Sequence, residues 1–146
     1  HIIQNAVKVA HAVGVSNPIV APLAAVETVN PNMQPTLDAA ALVSMNLRGQ
    51  IKGCIIDGPL ALDNAISVEA AEHKGITGEH AGRADILLVP SIEAGNILYK
   101  SLVYFAKAKV GAVIEGAKAP IVLTSRADSA ESKLNSLALA ICSSQN

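Results

Sequence analysis

The sequence predicts an α/β protein, an α/β/α sandwich with a mostly parallel sheet, and three observations carry that reading. Short Val/Ile/Leu runs alternate with longer stretches of helical periodicity, the pattern of strands joined by crossover helices. Gly, Pro and Asn clusters fall between the runs. Although 51% of the 146 residues are hydrophobic, Trp is absent and the aromatics are two Tyr and one Phe. The core is therefore built from Ala, Val, Ile and Leu, which lets helices lie close against a buried sheet. The length suits one domain with one sizeable core, read here as a single α/β domain over residues 1–146.

Each element follows in order. Ile2, Ile3, Ala6, Val7, Val9, Ala10 and Val13 recur at helical spacing until Gly14. Asn17-Pro18 breaks the chain, and Ile19-Val20-Ala21 reads as a strand with Pro22 at its end. Asn30-Pro31-Asn32 is a loop, followed by a helix over Pro35 to Asn46 that Gly49 ends. Gly53-Cys54-Ile55-Ile56 is a buried strand closed by the turn Asp57-Gly58-Pro59. Asp63 is placed to cap a helix through Ala71, and residues 74–82 form a polar loop. Ile86 to Val89 is the next strand, ended by Pro90, and a helix runs from Glu93 to Lys107. Residues 112–114 and 121–123 read as two further strands, one of which could pair antiparallel. The last helix spans Asp128 to Ile141, with Asp128-Ser129-Ala130-Glu131 in the form of a capping box.

Composition excludes several function classes. The formal net charge is −1 and the basic residues form no block, which disfavours nucleic-acid binding. No apolar run reaches the roughly 20 residues of a membrane span, and the start lacks the layout of a signal peptide. Cys54 and Cys142 sit in apolar patterns and read as buried or half-buried hydrophobes in a cytoplasmic protein. His1 opens directly on helical periodicity with no capping residue before it, which reads as a truncated start.

In an open α/β sheet, ligands bind beyond the carboxyl ends of the strands. The residues there are Glu27, Asp57-Gly58-Pro59, Ser91 through Asn96, Glu115-Gly116 and Thr124-Ser125-Arg126. Gly95 allows close backbone approach, and Asn96 and Lys100 share a helix face beside Tyr99. An amide, an ammonium and a helix start suit a phosphate; alternatively Lys100 is merely solvated and Tyr99 an interface ring. Thr124, Ser125 and Arg126 offer two hydroxyls and a planar guanidinium, the chemistry of anion binding and of stabilising a growing carbonyl charge. Asp57 either orients a cation or satisfies turn amides. Glu72-His73 and Glu79-His80 match no closed zinc spacing, so no metal is expected. Neither a dinucleotide glycine motif nor a phosphate-binding P-loop occurs.

Three long motifs, taken together, resemble the phosphate acetyl/butyryltransferases, the butyryl branch most closely. They are the run Gly49 to Ala65 (GQIKGCIIDGPLALDNA), the run Ala84 to Pro90 with Glu93 to Lys100 (ADILLVP, EAGNILYK), and Pro120 to Arg126 (PIVLTSR). The resemblance implies a two-domain protein, each domain α/β and similar to the isocitrate/isopropylmalate dehydrogenases in fold. This chain matches only the second domain and the returning C-terminal helix. It implies acyl-CoA and phosphate as partners, coenzyme A as a substrate rather than a tightly bound cofactor, a homodimer, and little turnover by this chain alone. It assigns Ser125 and Arg126 to the reacting carbonyl or phosphate, and Gly95, Asn96, Tyr99 and Lys100 to the cleft. Asp57, Gly58, Pro59 and Thr124 join them as substrate-binding candidates. The acetyl enzymes carry an Asp six residues after that Arg, a proposed base for the thiol. Here Ser132 stands there, and Glu131 and Asp128 are the nearby carboxylates. Two other readings compete: a non-catalytic dimerisation or binding module, and a metal-dependent dehydrogenase relative. The latter needs clustered Asp ligands and a nucleotide loop, and neither is found.

Overall fold

The structure, a computed structural model, describes residues 1–76 and 78–144. The chain divides into two compact units, one of Ser16–Ile92 and one of His1–Val15 with Glu93–Asn146. The expected fold class holds: a mixed α/β protein with a parallel sheet.

The Ser16–Ile92 unit carries the sheet. Its strands are β1 (Ile19–Pro22), β2 (Ile55–Ile56) and β3 (Ile86–Leu88), in the order β2-β1-β3 with both pairs parallel. Central β1 pairs on both edges, Val20 against Ile56 and Ile86. Val20 and Ala21 are accordingly wholly buried, as a continuous apolar run requires. Pro22, which cannot donate to a ladder, ends β1 as expected. Asp85 registers β1 on β3: its Oδ2 accepts the Ile19 N–H at 2.8 Å, and its own N–H donates to the Ile19 carbonyl at 2.9 Å.

Helix α2 (Gln34–Leu47) begins with Pro35 in its first turn, where a missing N–H costs nothing. Near its end, Asn46 holds β2 in place. Its Nδ2 donates to the carbonyls of Ile51 and Cys54, each at 3.0 Å, and its Oδ1 accepts the Ile56 N–H at 3.1 Å. Ala21, Leu23, Leu60 and Ala65 form the core of this unit, with Ile76, Ala84, Leu87 and Val89 against it.

The single helix expected from Asp63 through Ala71 is two: α3 (Leu62–Ile66) and α4 (Val68–His73). Ser67 breaks it, extended at φ −130° and capping α4 by accepting the Ala70 N–H on Oγ. The cause is distant in sequence. Gly82 donates its N–H to the Asn64 carbonyl at 2.7 Å, and its backbone lies hard against Ser67 and Val68. Asp63 is thus no cap; Ala61 holds that position without a side-chain bond, and Asp63 sits in the first turn of α3. The polar loop over 74–82 follows, its position 77 lying outside the described residues.

In the other unit, α1 (Ile2–Ala12) buries Ile3, Val7 and Ala10, one stripe at helical spacing, and packs with α6 (Ala130–Ser143). Helix α5 (Ile92–Tyr104) buries none of its residues. The two late strands are reduced to one antiparallel bridge, Ile114 with Ile121, closed by hydrogen bonds of 2.9 and 3.1 Å. The preceding backbone is engaged by α6 instead. Ser136, buried, accepts the Ala112 N–H at 3.0 Å, and Asn135 donates to the Val110 carbonyl at 3.3 Å. Ser129 caps α6, accepting the Ser132 N–H, so Asp128 is not the cap. Both cysteines are free; Cys54 is buried as expected, whereas Cys142 is exposed on α6.

Candidate functional site

A turn at the start of α6 organises the site in the second unit. The Asp128 Oδ2 accepts the Ser125 N–H at 2.6 Å, and the Asp128 N–H donates back to the Ser125 carbonyl at 3.1 Å. The Ser125 Oγ also accepts the Ala127 N–H at 3.3 Å. Four residues are thereby closed on themselves, and Arg126 at the turn is exposed with no ion pair among the described residues.

A cavity of about 360 Å³ borders this turn. Five of the expected site residues line it: Tyr99, Lys100, Ser125, Asp128 and Glu131. Gly95, Asn96, Thr124 and Arg126 are not among its lining residues. Burial and, behind it, the charge of Asp128 and the neighbouring Tyr104 push the Tyr99 phenol above its ordinary range. Tyr99 therefore stays a hydroxyl donor at neutral pH. Ser132, six residues beyond Arg126, also lines the cavity, as do Lys107 and Lys109, which were not singled out from sequence. The near-repeat Lys107-Ala108-Lys109 just past a helix was the available signal. Lys109 ion-pairs with Glu131 at 2.7 Å, and that bond raises the Lys109 pKa. Glu131 is thus a salt-bridge partner rather than the second half of a capping box.

Asp57, Gly58 and Pro59 belong to the Ser16–Ile92 unit. The Asp57 N–H donates to the Val20 carbonyl at 3.0 Å, which continues the β1–β2 ladder. Gly58 meets Pro22 so closely that a Cβ would lie 3.1 Å from its Cδ and 3.2 Å from its carbonyl oxygen, and the Gly58–Pro59 peptide is cis.

Glu27 stands in a charged cluster of the same unit. Lys74 Nζ lies 2.6 Å from its Oε1 and 3.0 Å from Asp63 Oδ2, and the wholly buried Asn64 donates its Nδ2 to Glu27 as well. Lys74 and Asn64 were not legible as partners from sequence, because 47 and 37 residues separate them from Glu27. The hydrogen bond from Lys74, first among the causes, holds the Glu27 and Asp63 carboxyls below their ordinary range, and both acids raise Lys74. The acids' contribution to stability is present above about pH 4 and lost as pH falls through their lowered values. The lysine's is present below about pH 10 and lost as pH rises through its raised value. Lys74→Met is therefore expected to flatten the acid limb of the stability–pH curve slightly, solvent screening keeping the effect small. Thermal melts of both proteins between pH 3 and 7 check it; identical limbs would show that the cluster is thermodynamically silent.

The architecture defines an α/β protein whose cavity gathers Lys100, Lys107 and Lys109 with the hydroxyls of Tyr99, Ser125 and Ser129, beside the carboxylates of Asp128 and Glu131. The chain belongs to the family described as phosphate acetyl/butaryl transferase, whose model matches residues 1–141. It is 73% identical over 144 residues to the "Probable phosphate butyryltransferase" of Bacillus subtilis strain 168, covering 99% of this chain and 48% of that protein. It is 63% identical over 139 residues to the phosphate butyryltransferase of Clostridium acetobutylicum, covering 95% of this chain and 46% of that protein. Among solved structures, a branched-chain phosphotransacylase from Enterococcus faecalis V583 superposes with a TM-score of 0.88 at 45% identity, covering 97% of this chain and 52% of that one. The chain spans about half the length of the curated relatives it matches. Among the described residues, no helix is long and apolar enough to cross a membrane.

Proposed function

We propose that the chain is the second domain of a two-domain phosphate acyltransferase of the butyryl type, moving a short acyl group between CoA and inorganic phosphate. The observation that carries this is the identity with proteins named phosphate butyryltransferases, 73% and 63%, sustained over nearly the whole chain. The cavity supports it, since Tyr99, Lys100 and Ser125, distant in sequence, line one pocket. In this reading Lys100 holds phosphate oxygens as a point charge. Ser125 and Arg126 face the acyl carbonyl, where the guanidinium stabilises the oxyanion of the tetrahedral intermediate. Gly95 and Asn96 at the start of α5, Thr124, and the Asp57-Gly58-Pro59 turn contact the substrates elsewhere. Coenzyme A acts as substrate and no tightly bound cofactor is used. Holding thiol and acyl phosphate together supplies a large share of the rate.

The enzyme is a cytoplasmic homodimer in this proposal. The exposed Ile97, Leu102, Leu134, Leu137 and Ile141 of α5 and α6 support the association. The test is CoA release from butyryl-CoA and phosphate, run on the full-length protein containing this chain and on the chain by itself. Release by the full-length protein and none by the chain alone is the expected result. A full-length protein inert with acetyl-, propionyl- and butyryl-CoA alike would sink the assignment and leave a binding module.

A further inference from the structure

We propose that Lys107 is a second phosphate-binding group on the cavity beside Ser125, kept there in a backbone conformation that disfavours it. The proposal rests on the acyltransferase reading for the identity of the ligand.

Among the described residues, Lys107 is the one non-glycine with a positive φ, at +54°. A Cβ makes that left-handed conformation unfavourable. Glycine adopts it freely, and asparagine or aspartate offset it with short local hydrogen bonds. Lysine can do neither. The turn itself is built from backbone. Just past α5, the Ala106 N–H donates to the Ser101 carbonyl at 3.2 Å and the Ala108 N–H to the Leu102 carbonyl at 3.0 Å. Nothing in that winding calls for an ammonium group, and glycine would fit it better. A residue held in a disfavoured conformation points to a use for its side chain.

That use is found in the cavity of about 360 Å³ that Lys107 lines. Three lysines and two carboxylates line it, which leaves one positive charge in excess. Both carboxylates are already engaged. The Asp128 Oδ2 accepts the Ser125 N–H at 2.6 Å, and the Glu131 Oε1 lies 2.7 Å from Lys109 Nζ. Lys109 is thereby neutralised. Lys100 and Lys107 have no ion pair or side-chain hydrogen bond among the described residues. Both are exposed, so a ligand can reach them. Two uncompensated ammonium groups on one concavity concentrate anions there. In the reading above Lys100 holds one phosphate. Lys107, seven residues on, supplies a second point charge for phosphate oxygens. The proposed reaction offers two sources of that group, the phosphates of CoA and inorganic phosphate.

The test is a calorimetric titration of the full-length protein with CoA and, separately, with inorganic phosphate. Wild type is compared with Lys107→Gly and Lys107→Gln, and melting temperatures are taken alongside. Lys107→Gly is expected to weaken binding of at least one of the two about tenfold or more, as the loss of a hydrogen bond to a charged group implies. Its melting temperature is expected to hold or rise, because glycine accepts the left-handed turn. Lys107→Gln keeps the Cβ and loses the charge, so affinity falls with no gain in melting temperature. A loss confined to CoA assigns Lys107 to the phosphates of CoA, and a loss confined to inorganic phosphate assigns it to that substrate. Unchanged affinities for both in the two variants would overturn the proposal, as would a wild type that takes up neither. A melting temperature several degrees lower in Lys107→Gly would also overturn it, by showing that the lysine serves the fold. Because the readout is binding, the acyltransferase reading fails separately. A full-length protein that binds CoA or phosphate through Lys107 yet releases no CoA from butyryl-CoA would sink that reading and leave the site.

Discussion

Replacing Arg126 by alanine is expected to lower kcat for CoA release from butyryl-CoA in the full-length enzyme by about 10²–10³-fold, or about 2.7–4 kcal/mol of transition-state stabilisation. The expectation follows from what Arg126 does not do. It is exposed, lies in a turn closed by the Ser125 and Asp128 backbone and side chain, and forms no ion pair among the described residues. Its removal should therefore leave the melting temperature within error of the wild type. A folded-state role would show the reverse, a loss of stability with activity of the surviving fraction intact. Arg126→Lys should recover only part of the rate, because a point charge replaces a planar fork of donors. Activity of Arg126→Ala within twofold of wild type would remove the residue from the reaction.

Gly82→Ala should destabilise the fold by about 2–5 kcal/mol, a large fraction of a typical domain's total. Two costs combine. Gly82 has φ +79°, a left-handed conformation that costs an L side chain about 1–2 kcal/mol. A Cβ there would also lie 2.5 Å from Val68 Cα and 2.6 Å from Ser67 C, backbone atoms with no rotamer through which to retreat. Forced displacement of this kind adds about 1–3 kcal/mol. Gly75→Ala separates the two costs, since Gly75 has φ +68° but nothing within 4 Å of its Cβ position. It should lose only about 1–2 kcal/mol. Urea unfolding of both variants checks the pair, and equal losses would mean that the contact with Ser67 and Val68 is not what makes Gly82 necessary.

The sites of these two substitutions were legible to very different degrees. Arg126 was visible because it sits in a run of seven residues, Pro120 to Arg126, that resembles a family as a string. Gly82 stood in sequence as one glycine of a polar loop. Its importance depends on a helix break fifteen residues earlier, which periodicity over 62–73 does not show, because the apolar positions run on across Ser67. The α6 cap was missed for a related reason. Asp128 and Glu131 have the spacing of a capping box, and so do Ser129 and Ser132. The choice was made by Ser125, whose N–H takes the Asp128 carboxylate, and by Lys109, which takes Glu131.

By itself the sequence determined the fold class, the positions of β1, β2 and β3, the extents of α1, α2, α5 and α6 to within a few residues, and the family. These depend on local period, turn chemistry and ordered motifs, all of which are written along the chain. The tertiary structure alone decided that the late strands stop at one bridge, that Lys107 and Lys109 share a cavity with Ser125, and that Glu27 answers to Lys74. Each of these is a contest between partners far apart in sequence for one hydrogen-bonding group or one charge, and spacing along a chain carries no information about who wins it.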